Sequence, residues 1–112
     1  MSKKKYLRKN EFRYNTNPAV KNPKGEGHMA YITARHGTKY KINIITHSKT
    51  FYGEPTEKLD KNPNVSKPSK RSSRFSVPRW ESDTYLKNKP KEVWKMSKVD
   101  RIAIKKFNKK YK

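Results

Sequence analysis

The chain contains no cysteine in its 112 residues, which excludes a disulfide framework, a thiolate metal site and a cysteine nucleophile. Its three histidines, His28, His36 and His47, are not at metal-ligand spacing on a common face and have no accompanying carboxylate pair, so no metal is expected. Glycine is scarce, at four residues. Gly25-Glu26-Gly27 has neither a preceding strand nor a following helix that opens with a Lys-Ser/Thr pair, so it is a junction rather than a phosphate loop, and no cofactor is expected. No run of about 18 apolar residues occurs. No apolar segment of signal-peptide length follows the basic start Met1-Ser-Lys-Lys-Lys-Tyr6, which predicts a soluble, cytoplasmic protein without a membrane partner. Acidic side chains are the deepest shortage, with nine Asp and Glu against 30 Lys and Arg.

The formal charge is +21, and such a chain repels itself unless a polyanion or salt screens it, which makes nucleic acid the first partner to consider. The charge is unevenly placed. Residues 1–25 carry eight basic side chains against Glu11, residues 26–66 are close to neutral at +2, and residues 87–112 carry a net +9. This pattern predicts a folded body with cationic extensions. The candidate nucleic-acid contacts are Lys3, Lys4, Lys5, Arg8, Lys9 and Arg13 in the N-terminal segment, and Lys39 and Lys41 in the central one. Further along are Lys70, Arg71 and Arg74, and then Arg101, Lys105, Lys106, Lys109 and Lys110. Lysine outnumbers arginine, which favours phosphate neutralisation over bidentate base recognition and leaves both RNA and DNA as ligands.

Hydrophobic residues make up only 30% of the chain, so one small core is expected. Met29–Arg35 and Lys39–Ile45 flank His36-Gly37-Thr38 and are rich in β-branched and aromatic residues, the pattern of a hairpin. Tyr40, Ile42 and Ile44 share one face of the second strand, and Lys39, Lys41 and Asn43 the other, which predicts a wet, positive face. Short strands are expected around Thr56–Leu59 and Arg74–Val77, the latter stopped by Pro78. Ser97 followed by Asp100 forms a variant capping box that starts a helix over about residues 97–108. Val99, Ala103, Phe107 and Tyr111, widened by Ile102, form its apolar stripe. The fold class is mainly β (α+β), a small SH3-like open barrel with a C-terminal helix and a disordered basic N-terminal arm. Residues 1–25 are the flexible arm, and 26–112 a single small β-rich domain.

Tyr6, Phe12 and Tyr14 lie between basic residues, and Trp80, Tyr85 and Trp94 follow in the second half. Rings of this kind either fill the core or stack on unpaired bases. Trp94 immediately precedes the expected helix and is assigned to the core. Thr46-His47-Ser48 puts two hydroxyls and an imidazole at a strand end, where they either serve proton transfer or satisfy the loop backbone.

The succession His28-Met-Ala-Tyr-Ile, Gly37-x-x-Tyr40-x-Ile42, Ile45-Thr-His-Ser48, Leu59-x-Lys61-Asn-Pro-Asn64 and Trp94-Lys-Met-Ser-x-x-Asp100 resembles a family of small basic proteins of bacterial phages and mobile elements. The resemblance covers about residues 28–107 and implies a phage or mobile-element setting, in the cytoplasm of a bacterial cell or associated with its nucleoid. More distantly, the strand order resembles the PemK/MazF-like toxins, SH3-like barrels that cut RNA without a metal. In those toxins an early arginine and a later Thr or Ser at a strand end serve cleavage; Thr46 and Ser48 match the later position, and Arg35 is the candidate for the earlier one. The first reading is a nucleic-acid-binding protein of a phage or mobile element that holds the phosphate backbone electrostatically. The alternative is a metal-independent endoribonuclease, with Arg35 stabilising phosphate charge, His47 exchanging a proton and Thr46 or Ser48 positioning the scissile group. A third class is an inhibitor or assembly protein that acts on a protein partner.

Overall fold

The hairpin predicted around Gly37 lies at the centre of the structure, a computed structural model that describes residues 7–17, 28–65, 73–87 and 93–111. In chain order the elements are β1 (Phe12–Asn15), β2 (His28–His36), β3 (Lys39–Thr46), β4 (Thr50–Phe51), β5 (Glu54–Pro55), β6 (Glu57–Lys58), β7 (Arg74–Phe75), β8 (Arg79–Ser82), β9 (Leu86–Lys87) and α1 (Lys98–Asn108). Gly37 turns the hairpin at φ +64°, a conformation that costs glycine little. The main sheet runs β6-β7-β3-β2-β1-β9, and β8 pairs with β3. β4 and β5 form a separate hairpin in which Tyr52 and Gly53 both take positive φ, as a tight two-residue connection requires. The architecture is mainly β with one C-terminal helix. The sheet is open rather than a closed barrel, with the two-residue strands β6 and β9 at its ends.

Residues 12–15 belong to this sheet, not to a flexible arm. β1 pairs antiparallel with β2, placing Phe12 opposite Tyr31 and Tyr14 opposite Met29. Phe12 is buried, its ring 5.1 Å from Tyr31 and 5.4 Å from Trp94. The charge around Phe12 and Tyr14 suggested an arm, but their two-residue spacing places both rings on one strand face, where burial outweighs the local charge. Residues 7–11 and 16–17 flank this strand, with the Leu7 amide donating to the Tyr40 hydroxyl at 3.0 Å and the Asn17 side-chain amide to the Glu81 carboxylate at 3.0 Å; the other residues of the expected arm, 1–6 and 18–25, lie outside the described residues.

The two faces of the hairpin have different coverings. Ala30, Ile32, Tyr40, Ile42 and Ile44 pack with Leu86, partly covered by Leu7 and Phe51. On the opposite face Phe12, Met29, Tyr31, Ile45 and Phe75 pack against Ile104 and Phe107 of the helix. The face expected to be wet is therefore half covered: α1 lies over Asn43 and Ile45 and leaves Lys39 exposed and Lys41 half-buried. Asn43 is fully buried there and exchanges two amide hydrogen bonds with Asn108, of 2.8 and 2.9 Å, while its Nδ2 also donates to the Ser76 carbonyl at 2.8 Å. Paired in this way, the amides satisfy one another away from water.

The helix begins where the capping box predicts. Ser97 Oγ accepts the Asp100 amide at 3.2 Å, and the buried Asp100 carboxylate accepts the Ser97 hydroxyl at 2.9 Å. The same carboxylate also accepts the backbone N–H groups of Asp60, at 2.7 Å, and Lys61, at 3.2 Å. These bonds set the rotation of the helix. Its buried face is Asp100, Ile104, Phe107 and Asn108, whereas Val99, Ala103, Ile102 and Tyr111 are exposed. Of the expected stripe only Phe107 is buried, because the polar anchors Asp100 and Asn108 must face inward and each residue step turns the helix by about 100°. Among the described residues no helix is long and apolar enough to cross a membrane.

Candidate nucleic-acid interface

Where α1 diverges from the β2–β3 hairpin it leaves a groove of about 550 Å³. Five cationic side chains line it, from three separate parts of the chain: Lys9 before β1, Lys41 on β3, and Arg101 and Lys105 on α1 with Lys109 at its C-cap. Among the described residues no acidic side chain lines it. Tyr31, Ala34, Ile102 and Ile104 give it apolar walls, and Asn10, Thr33 and Asn108 are its neutral polar groups.

Each cation is placed by local structure. The β2–β3 register shifts between Ile32 and Ala34, leaving Thr33 as the extra residue of a bulge. Its hydroxyl bonds the Lys41 carbonyl at 3.2 Å. Such an insertion exchanges the faces of the residues beyond it, so Ala34, not Thr33, stands opposite Lys41 on the helix side of the sheet. A small side chain there leaves the lysine room. Arg101, Lys105 and Lys109 recur every four residues, which places them on one side of the helix, about 6 Å apart along its axis. Lys9 is held through its neighbour. Asn10 sits at φ 69°, a region Asn tolerates better than most residues, and its N–H donates to the Ile32 carbonyl at 2.7 Å. Its side-chain oxygen accepts the Tyr31 hydroxyl. Burial raises the Tyr31 pKa from 10.0 to about 12, with the Arg101 charge acting in the opposite direction. The ring therefore stays a neutral donor that fixes Asn10. Arg101 is itself restrained by a 3.3 Å bond from Nε to the Met96 carbonyl.

Five like charges around one concavity repel one another, and an anion placed among them relieves that repulsion. The other side of α1 is different. There Lys106, Lys110 and Lys58 surround a smaller cavity, about 210 Å³, together with Glu57.

The remaining candidate contacts are scattered. Lys3, Lys4, Lys5, Lys70 and Arg71 lie outside the described residues. Arg8 and Lys39 are exposed. Arg13 is half-buried in β1 and paired with Glu11. Arg74 is bound to Thr56, with Nε on the hydroxyl at 2.7 Å and Nη2 on the carbonyl at 2.6 Å, and so ties β7 to the loop that precedes β6.

The four candidate cleavage residues do not converge. Arg35 pairs with Tyr40 near the hairpin turn and bonds the Gly37 carbonyl at 3.2 Å. Thr46 lies six residues beyond Tyr40 on β3, about 20 Å along the strand. Its hydroxyl accepts the Ser48 amide at 3.2 Å, and the Ser48 carbonyl accepts the Thr56 hydroxyl at 2.6 Å. Thr46 and His47 border a separate pocket of about 230 Å³ with His28, Tyr14, Trp94 and Asn62 among its lining residues. Trp94 packs against the core over Phe12, in line with its assignment there.

Sequence reasoning placed Lys9, Lys41, Arg101, Lys105 and Lys109 among the cationic contacts but did not bring them together. It missed Asn10, Tyr31 and Thr33. The four-residue spacing of Arg101, Lys105 and Lys109 was a signal for one shared face; nothing local marks Thr33 as a bulge. In comparisons with known proteins, no family model, curated protein or solved structure matches the chain.

Proposed function

We propose that this protein binds nucleic acid, holding the phosphate backbone in the groove between α1 and the β2–β3 hairpin. One observation carries the reading: five cations contributed by three chain segments line one groove without an acidic side chain among the described residues. Composition alone explains a basic surface but not this segregation, since Glu57 accompanies the cations on the other side of the same helix. Lysine predominates, which suits neutralisation of phosphates more than bidentate reading of base edges. Cationic segments outside the described residues would add to the same attraction.

The test is retention of labelled RNA, single-stranded DNA and duplex DNA across a range of salt, with the same samples analysed for cleavage. Each neutralised phosphate contributes about 0.9 to the slope of log affinity against log salt on duplex and about 0.7 on single strands. Engagement of all five groove cations gives a duplex slope of about −4.5 by the same relation. Retention that ignores salt, or none on any of the three, contradicts the proposal. Products that accumulate with time would turn the reading to the endoribonuclease.

A further inference from the structure

We infer that the nucleic acid held by this groove is single-stranded, and that one of its unpaired bases stacks on the indole of Trp80; the inference rests on the proposed backbone-binding role of the groove. Strand register selects this ring. Trp80 of β8 is the direct cross-strand partner of Lys41, and directly opposed residues in an antiparallel pair project from the same face. Trp80 therefore stands on the helix side of the sheet, beside a lysine that lines the groove. Trp80 itself is not among the residues that line the groove under the helix. Its exposure is 49%, high for the most costly side chain to leave in water, while Phe12 is buried and Tyr14 and Trp94 are partly buried against the core.

The surroundings fit a base on a charged strand. His36, paired with Lys39 across the hairpin turn, sets its ring 6.5 Å from the indole in an edge-on orientation, leaving the ring held at its side by a second aromatic. Lys39, the next residue of β3 on that face, is exposed. A cationic track that ends at an exposed aromatic is the arrangement by which proteins hold unpaired strands, since the phosphates meet the cations and the base face meets the ring. A duplex keeps its bases stacked on one another and offers the indole no free face.

The experiment uses the full chain and single-stranded oligomers of about eight nucleotides, a length within the site sizes of small single-strand binders. Three probes are compared at fixed salt: oligothymidylate, an abasic oligomer with the same number of phosphates, and a duplex of the same length. The wild-type chain should bind oligothymidylate roughly tenfold more tightly than the abasic strand, the scale of one base–aromatic stack. Its tryptophan emission should be quenched by the first and not by the second. Trp80→Ala should erase the difference between the two strands and the quenching, while leaving the salt slope and the melting temperature near wild type; Trp80→Phe should restore most of the difference. Equal salt-dependent affinity of the wild-type chain for all three probes would overturn the stacking inference and leave the backbone role standing. Equal loss on both strands in Trp80→Ala would do the same. Absence of salt-dependent binding to any probe would overturn both.

Discussion

The two sides of α1 are built from the same residue types, yet they present different surfaces. Arg101, Lys105 and Lys109 look across a groove at Lys9 and Lys41, whereas Lys106 and Lys110 look toward Lys58 and Glu57. The helix alone does not distinguish them: both rows recur every four residues, and each has a lysine in the last turn, Lys105 or Lys106, where it complements the helix dipole. The difference comes from what faces each row. On one side the β2 bulge and the Asn10 turn deliver further cations; on the other, β6 delivers a carboxylate. A basic helix thus becomes a candidate binding element only through its tertiary neighbours.

Removal of the seat that fixes the rotation of the helix should have the largest effect and disrupt both sides together. Phe107 is buried with its ring 5.1 Å from Phe75, and Phe107→Ala should cost about 3 to 5 kcal/mol. Asp100→Ala keeps the backbone N–H that the Ser97 cap accepts but takes the carboxylate from the Ser97 hydroxyl and from the Asp60 and Lys61 amides, for a loss of about 3 kcal/mol. Val99→Ala, at a position 62% exposed, should change stability by less than about 0.5 kcal/mol. Thermal melting of the three variants checks the order. A Val99→Ala loss equal to that of Phe107→Ala would mean that the helix turns its other face to the sheet.

A smaller perturbation acts from the groove side. Asn108 lines the groove and pairs with Asn43, so Asn108→Ala leaves part of a buried amide unpaired and should cost about 1 to 3 kcal/mol. Denaturant titration measures it; a neutral result would show that water replaces the lost partner.

The smallest expected effect is a pH dependence. With a folded pKa of about 12 against 10.0 unfolded, Tyr31 is neutral in both states below pH 10, and its contribution is then fully present. Between pH 10.0 and about 12 the unfolded chain loses its proton first, so stability falls as pH rises through that window. The reference is Tyr31→Phe, whose stability should fall less between about pH 9 and pH 11. Identical pH profiles would show that Tyr31 ionises as readily folded as unfolded. Arg101→Ala should raise the tyrosine pKa further, because the Arg101 charge lowers it.

Much of the central fold was legible because it is local. Gly37 between two β-branched runs gave the hairpin, and Ser97 with Asp100 gave the helix start. The rotation of the helix was not legible, since it depends on Asp100 reaching Asp60 and Lys61, about 40 residues away in sequence. β1 was missed because Phe12 and Tyr14 are surrounded by charge, and their partners Tyr31 and Met29 lie across a long connection. The cationic residues of the candidate interface could be named one by one. Their grouping could not, because the Thr33 bulge that puts Lys41 beside Ala34 is a property of strand pairing and leaves no local mark.

The most direct test compares two triple variants that each remove three positive charges: Arg101/Lys105/Lys109→Ala on the groove side and Lys58/Lys106/Lys110→Ala on the other. Both keep Ile104, Phe107 and Asn108, and both reach the same net charge, so a nonspecific cationic surface treats them alike. Affinity for a single-stranded oligonucleotide is measured as a function of salt. A phosphate-binding groove on one side of α1 predicts that the first variant flattens the slope of log affinity against log salt by about 2, at about 0.7 for each lost contact. The second should change it by less than about 0.7, one contact on the same scale. Equal flattening in the two variants, or no change in either, would contradict the groove as the binding site.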